Sequence, residues 1–449
     1  MSLNEIDPKK NRYHFDRHTP DYRLQFEKIT EEMHEKCPMA WTDTYNGHWV
    51  AAGSKEVFEL ARCPAVSNHH DLTGETPYGG IAIPKAKRAA GVRGGILEMD
   101  DPEHRTYRAV LNPYLSPAAV KRWEPFVDEI VRACLDEKIE SGSIDFVDDL
   151  ANIVPAVLTL AMMGIELKKW SLYSEPTHAS VYTPEDSPEM DRVIEMRREM
   201  GIDLLTRMVE IRDNPRPGLV NALLELKIDD EPAPDIEIIG NLGLIIGGGF
   251  DTTTALTAHA LEWLSENPDQ RDRLSKDRDT LLDPATEEFL RFFTPAPGDG
   301  RTFSEDVEIE GTKFSGGERL WISWAMANRD PSVFRGPNDL IIDRKGNRHF
   351  SFGIGVHRCV GSNVARTVFK SMLTAVLDRM PDYQCDPEGA VHYETIGIIQ
   401  GMRRLPATFT PGPRIGTGLD ETLERLQRIC DEQELARPIT ERKEAAVID

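Results

Sequence analysis

A glycine-rich segment around one cysteine constrains this chain more than any other feature. It runs from Phe352 to Gly361 with the sequence FGIGVHRCVG, and a helix-forming run over 362–377 follows it. Cys359 therefore lies at a loop-to-helix junction, where backbone N–H groups and Arg358 favour a thiolate. Glycines at such a junction let the backbone approach a large flat group. A buried cysteine in a glycine-rich turn is the alternative, but it leaves the aromatic, histidine and arginine residues of the segment unexplained.

The charge and hydropathy of the chain exclude several classes of function. Among 449 residues there are 53 Lys and Arg against 76 Asp and Glu, a net charge of −23 at pH 7. Because phosphate-backbone binding needs a basic surface, we expect no nucleic-acid partner. The longest apolar run, 153–165, contains a proline and falls short of the roughly 20 residues that span a bilayer. We therefore expect no membrane insertion.

The first residues and the cysteines predict the location of the protein. The N-terminal sequence is polar and has no apolar signal core. Six cysteines are scattered without a Cys-x-x-Cys pair, so neither a disulfide framework nor a zinc ribbon is implied. These features predict a protein of the reducing cytoplasm.

Helical patterns dominate the chain, and strand patterns are short. Residues 235–265 have a nearly unbroken helical pattern, long enough to cross most of a domain. Residues 186–228 predict two helices joined around 214–217. Alternating or β-branched runs predict a strand at 48–52 and two strands within 306–324. The sequence therefore predicts a mainly α fold with a small β region.

Two segments lie outside this regular pattern. Residues 72–96 contain six glycines, and a loop of this length is usually functional or mobile. After residue 411, apolar side chains recur at helical spacing at Leu419, Leu423, Leu426 and Ile429. They predict a short amphipathic helix packed on the body, with a frayed solvated extension as the alternative. We predict one main domain over 1–411 and a C-terminal extension over 412–449.

Three consecutive glycines, 247–249, stand in the middle of the predicted long helix. Each costs about 1 kcal/mol relative to alanine in a helix interior, so some other interaction must offset their cost. Asp251 and Thr252 follow directly, and a hydroxyl that bonds back to a carbonyl can open a helix and leave a groove for a small ligand and water. A close crossing by another helix, which needs small residues, explains the glycines equally well.

The segment from Phe352 to Gly361 resembles the haem-binding loop of the cytochrome P450 monooxygenases at every usual fixed position. The resemblance extends from about residue 20 to residue 411. It implies the cytochrome P450 fold, in which haem b lies between a long central helix and the cysteine loop. It also implies that Cys359 is the axial ligand of the haem iron and that Phe352 packs near the thiolate.

The resemblance also assigns roles to residues elsewhere in the chain. Asp251 and Thr252 match the acid–alcohol pair that delivers protons during dioxygen activation, and Gly248 and Gly249 shape the oxygen groove beside it. The implied propionate-binding residues are His104, Arg108, Arg301 and His357. The implied structural residues are Glu288, Arg291 and Arg344. Taken alone, the spacing of Glu288 and Arg291 is weak evidence, because ion pairs three residues apart are abundant on helix surfaces.

By this resemblance the protein is a monooxygenase that inserts one atom of O2 into a small hydrophobic substrate, either a terpenoid, a steroid, a fatty acyl compound or an aromatic compound. Electrons would come from a ferredoxin and ferredoxin reductase, or from a flavodoxin-type donor. Such a donor would dock on basic residues of the proximal face at Arg105, Lys121, Arg122, Arg358 and Arg366. Two alternatives are a peroxide-driven peroxygenase and a haem-thiolate sensor or carrier without catalysis. The sequence does not identify the substrate, the native redox partner or the oligomeric state.

Overall fold

The computed structural model describes residues 11–84, 91–433 and 435–439. It is mainly helical with a small sheet region, which confirms the predicted fold class. The α-helices, in chain order, are α1 (Pro20–Lys36), α2 (Ser54–Leu60), α3 (Glu103–Leu115), α4 (Pro117–Lys121), α5 (Glu124–Lys138), α6 (Ile153–Met163), α7 (Trp170–Tyr182), α8 (Glu189–Asp213), α9 (Leu219–Leu224), α10 (Asp235–Gly249), α11 (Asp251–Glu266), α12 (Pro268–Lys276), α13 (Arg278–Phe293), α14 (Trp324–Ala327), α15 (Ser362–Arg379) and α16 (Leu419–Gln433).

The strands are short, with two to five residues each. They are β1 (Met39–Thr42), β2 (His48–Ala51), β3 (Val66–Ser67), β4 (Ser143–Asp145), β5 (Lys227–Ile228), β6 (Glu231–Pro232), β7 (Asp299–Phe303), β8 (Val307–Ile309), β9 (Thr312–Phe314), β10 (Arg319–Ile322), β11 (Gln384–Cys385), β12 (Val391–His392), β13 (Met402–Arg404) and β14 (Pro406–Thr408).

The described chain divides into two compact units. The sheet unit comprises the described residues of 1–105, 283–359 and 394–400, and the helical unit comprises those of 106–282, 360–393 and 401–449. The sequence predicts a different division, into a main domain over 1–411 and a C-terminal extension over 412–449, and that division stays a prediction.

A five-stranded sheet forms the centre of the sheet unit, in the order β1-β2-β10-β7-β3. β2 and β10 are parallel and the other pairs are antiparallel. One side of the sheet packs on a cluster of buried aromatic side chains that includes Trp49, Phe303 and Trp324. Phe350 belongs to this cluster and stacks near Trp324. The core of the sheet unit therefore anchors the chain just before the cysteine loop.

Packed helices form the core of the helical unit. Every residue of α6 is buried, as expected for a helix that is apolar on all sides. α15 packs against α5 and α11. A small sheet of the order β11-β14-β4 lies in the same unit.

The prediction of a single helix over 235–265 is wrong in one respect, because the structure has two helices that meet at Phe250. Phe250 has ψ −74°, which departs from the helical value. Just before the break stand the three glycines, which favour a helix weakly. The Thr252 hydroxyl also donates a hydrogen bond back to the Gly248 carbonyl oxygen. The break thus occurs where the sequence favours the helix least.

Other predicted elements are confirmed with small differences. Two helices, α8 and α9, lie within 186–228. The first ends just before the segment 214–217 and the second begins just after it. The region 306–324 has three strands instead of two, because Glu310 and Gly311 adopt positive φ and turn the chain back as a β8–β9 hairpin. The part of the loop 72–96 that covers 85–90 lies outside the described residues.

The C-terminal helix α16 packs on α5, so a frayed extension is the wrong interpretation for this segment. Leu423 and Leu426 are buried. The segment before the helix is fixed at Asp136, a buried carboxylate on α5 that accepts hydrogen bonds from the backbone N–H groups of Ile415 and Gly416. The end of the predicted tail, 440–449, lies outside the residues that the structure covers. Within those it covers, no helix is both long and apolar enough to cross a membrane.

Candidate functional site

The cysteine loop is shaped by two glycines that adopt left-handed backbone conformations. Gly353 has φ 63° and Gly355 has φ 79°. A Cβ on Gly355 would lie 2.9 Å from the carbonyl oxygen of Ala61, so only glycine fits without displacement. The turn closes with a hydrogen bond of 2.8 Å from the Cys359 N–H to the Phe352 carbonyl oxygen. The result is an exposed Cys359 three residues before the first residue of α15.

Arg301 and two histidines lie in the same unit as this loop. The His104 and His357 rings are neighbours, with centroids 4.4 Å apart and a tilt of 53°. Arg301 is buried, and its guanidinium donates to the Gly300 carbonyl oxygen at 2.7 Å. Its ion pair with Asp299 spans 3.7 Å, and burial lowers the Arg301 pKa. A carboxylate-bearing ligand would complement this desolvated cation.

The predicted Glu288, Arg291 and Arg344 meet in one buried cluster. The Glu288 carboxylate accepts two hydrogen bonds of 2.8 Å from Arg291 and two of 3.0 Å from Arg344. The backbone N–H of Ile341 and the side-chain amide of Asn347 also donate to it. Glu288 and Arg291 are fully buried. The pair is therefore not a surface ion pair, and it fixes the chain that leads into the cysteine loop.

Thr252, the predicted alcohol of the acid–alcohol pair, lies beside the break between α10 and α11. The Thr252 hydroxyl donates to the Gly248 carbonyl oxygen at 2.9 Å, which is the back-bond expected to open the helix. Apart from its chain neighbours and the backbone of its own helix, a Cβ on Gly247 or Gly248 would meet no described heavy atom within 4 Å, whereas one on Gly249 would lie 3.1 Å from Thr159 Oγ1. Open space at Gly247 and Gly248 argues against a close helix crossing there and agrees with a groove.

Asp251 is bound by two residues that the sequence did not predict. Its carboxylate accepts from the Tyr393 hydroxyl at 2.9 and 3.0 Å and lies 2.5 Å from His178 Nδ1. Asp251, His178 and Tyr393 are all buried. His178 Nε2 has no hydrogen-bond partner among the described residues. Burial and then the charge of Asp251 raise the Tyr393 pKa well above the ordinary value of tyrosine, so Tyr393 stays protonated and donates.

No sequence signal marked this triad, because its members lie far apart along the chain. His178 is on α7, 73 residues before Asp251, and Tyr393 follows β12, 142 residues after it. Only the packing of the helical unit brings them together.

Two further predicted residues, Phe352 and Arg108, lie one in each unit. The sheet unit contains Phe352, whose ring lies 6.2 Å from that of His349, and the helical unit contains the half-buried Arg108.

Comparison with known proteins gives one consistent result. The family model "Cytochrome P450" matches residues 187–390. A steroid C26-monooxygenase from Mycolicibacterium smegmatis is 30% identical over 397 residues, which cover 82% of this chain and 96% of that protein. The chain belongs to the cytochrome P450 family. Like the relatives named monooxygenases and hydroxylases, this P450 is a monooxygenase that uses haem iron and O2 on hydrophobic substrates and receives electrons from redox partners.

Further relatives and solved structures agree with this assignment. A methyl-branched lipid omega-hydroxylase from Mycobacterium tuberculosis is 28% identical over 374 residues, covering 81% of this P450 and 85% of the relative. CYP109E1 from Bacillus megaterium, solved with testosterone, has 25% identity and a TM-score of 0.75, with 87% of this chain and 99% of the other covered. CYP268A2 from Mycobacterium marinum, solved with pseudoionone, has 23% identity and a TM-score of 0.79 over 89% and 99% of the two chains. At 23% identity, the likeness to CYP268A2 shows a shared fold.

Proposed function

We propose that this P450 binds haem b with Cys359 as the axial ligand and hydroxylates the alkyl end of a steroid or of a methyl-branched lipid. The residues present fit a haem. Cys359 is an exposed thiol just before a helix, where a thiolate is favoured. Arg301 is a buried cation suited to a propionate, with His104, Arg108 and His357 as its predicted companions. Phe352 would pack near the thiolate.

A thiolate-ligated haem supplies dioxygen activation, because the sulfur donates electron density that favours O–O cleavage. The chain must supply protons at a controlled place. We assign this to Asp251 and Thr252, beside the groove shaped by Gly248 and Gly249. The Thr252 oxygen, which donates its proton to the Gly248 carbonyl, can accept a hydrogen bond from water.

The observation that carries this assignment is the buried triad at Asp251. A carboxylate that is held by both a histidine and a tyrosine keeps one orientation, as a group that relays protons must. His178 is thereby a positioning residue for the carboxylate. Tyr393 remains protonated and acts as a positioning residue.

The proposed substrate class rests on the relatives. Their names place oxidation at C26 of a steroid or at the omega carbon of a methyl-branched lipid, both of which are terminal alkyl positions. Binding should therefore be tighter for a sterol with a full alkyl side chain than for the same ring system without one. Titration of the haem absorption spectrum measures this difference.

The finer assignments of partner and location are also proposals. We propose that a ferredoxin with its reductase donates the electrons, with a flavodoxin-type protein as the alternative donor. Of the predicted docking residues, Arg105, Lys121, Arg122 and Arg358 are exposed and Arg366 is half-buried, which leaves most of these cations accessible to an acidic partner. A cytoplasmic location stays a prediction.

Thr252→Ala tests the proton-delivery role. The variant should bind haem normally, because alanine favours a helix, but it lacks the hydroxyl. With a surrogate ferredoxin system, NAD(P)H consumption should continue while product per NAD(P)H falls by about tenfold or more and hydrogen peroxide makes up the difference. Thr257→Ala is the matched control, because the Thr257 hydroxyl makes the same back-bond to Thr253 away from the glycines. Normal coupling in Thr252→Ala would remove Thr252 from the relay.

A further inference from the structure

Three side chains with metal-binding atoms meet in the helical unit, and none of them belongs to the Asp251 triad. They are His259 and Glu262 of α11 and His392 of β12. We propose that this cluster binds one divalent transition-metal ion, with zinc as the best match. Two imidazoles and one carboxylate are a ligand set that zinc uses in proteins, with a fourth position left for water or another side chain.

The backbone sets up this convergence. His259 and Glu262 are three residues apart on one helix, so they share a face. His392 Nε2 lies 2.8 Å from one Glu262 oxygen, and His259 Nδ1 lies 3.7 Å from the other. One ligand atom from each residue lies within 4.8 Å of those of the other two. Tetrahedral zinc with bonds near 2.0 Å holds its ligand atoms about 3.3 Å apart, which small side-chain rotations can reach.

The accessibility of the cluster also suits a cation. The Glu262 and His392 side chains are 19% and 28% exposed against 6% for His259, which gives an ion a path in from solvent.

A bound ion would also act on the catalytic part of the unit. His392 directly precedes Tyr393, whose hydroxyl donates to Asp251. Ligation of His392 would therefore fix the segment that holds the Asp251 carboxylate. The competing explanation is that the three residues form a hydrogen-bonded cluster that joins β12 to α11 and binds no metal.

The test uses the full chain without a histidine tag, freed of metal by a chelator that is then removed. Zinc titration by calorimetry should show one site per chain with a dissociation constant in the micromolar range or below. Zinc K-edge absorption, which haem iron does not obscure, should show two imidazoles and no sulfur ligand. In His392→Ala and in Glu262→Gln the zinc affinity should fall at least tenfold. His14→Ala, which removes an exposed histidine elsewhere, should leave it unchanged.

Several outcomes would overturn the proposal. These are binding weaker than millimolar, wild-type affinity in both variants, or a spectrum with cysteine sulfur in place of imidazole. A lower melting temperature in the variants without any zinc binding by the wild type would establish the hydrogen-bonded cluster instead. If His392→Ala fails to fold, the Glu262→Gln titration decides, because that change keeps the side-chain shape.

Discussion

Replacing Glu288 with alanine removes the acceptor at the centre of a buried cationic cluster. Arg291 and Arg344 together donate four hydrogen bonds of 2.8–3.0 Å to this carboxylate. Both guanidinium groups keep backbone carbonyl partners, but their opposite charge is gone. An unpaired buried charge left in this way costs about 3–5 kcal/mol. That cost is a large part of the roughly 5–15 kcal/mol that stabilises a typical folded protein.

The chain contains a matched control for this change. Glu195 and Arg198 have the same order and the same spacing of three on α8, with a distance of 2.9 Å, but their side chains are 56% and 67% exposed. Glu195→Ala should change the free energy of unfolding by less than about 0.5 kcal/mol. The comparison therefore keeps the residue types and their spacing constant, while burial and the number of donors to the glutamate differ.

Denaturant unfolding of the haem-loaded protein, followed by haem absorbance and by circular dichroism, measures both variants. Glu288→Ala should lose haem at a much lower denaturant concentration than the wild type, and Glu195→Ala should not. If Glu288→Ala does not yield folded protein, Glu288→Gln, which keeps an acceptor oxygen, should fold with an intermediate loss. Equal midpoints for Glu288→Ala, Glu195→Ala and the wild type would refute the argument that burial makes this ion pair necessary.

Two further predictions concern buried titratable groups. Tyr393→Phe removes a donor to Asp251 and should lower product per NAD(P)H by about tenfold, since a hydrogen bond to a charged group contributes roughly 1.5–3 kcal/mol. The haem content should stay normal. Unchanged product per NAD(P)H would contradict the positioning role of Tyr393. Burial and then the charge of Arg17 hold the His48 pKa at about 3, below the ordinary value of about 6.5. The folded state thus disfavours protonated His48, so the wild type should lose stability relative to His48→Gln as the pH falls from about 6.5 towards 3. Urea unfolding of both proteins at pH 5 and pH 8 measures the difference, and parallel behaviour at the two pH values would contradict it.

Local patterns explain what the sequence predicted well. The glycines around Cys359 are a property of one short segment, and such a segment folds as its local chemistry dictates. The break at Phe250 was only partly visible, because three glycines weaken a helix but do not say where it ends. In the structure the first helix ends at the three glycines, beside the Thr252 back-bond to Gly248.

Residues that come together through tertiary packing escaped the sequence analysis. His178 and Tyr393 reach Asp251 from α7 and from the end of β12, and no pattern in either segment indicates a carboxylate partner. His392 likewise joins His259 and Glu262 of α11, although it lies 130 residues after Glu262 in the chain. The burial of Glu288 could not be derived from spacing, since the same spacing occurs at the exposed Glu195 and Arg198.

The ferrous carbon monoxide spectrum tests the central claim most directly. The purified wild-type protein, reduced and exposed to carbon monoxide, should show the red-shifted band of thiolate-ligated haem. Cys359→Ser should lose that band because serine cannot supply the same donor, while Cys63→Ser, at a half-buried cysteine elsewhere in the sheet unit, should keep it. A normal red-shifted band in Cys359→Ser would contradict the assignment of Cys359 as the axial ligand and with it the proposed mechanism.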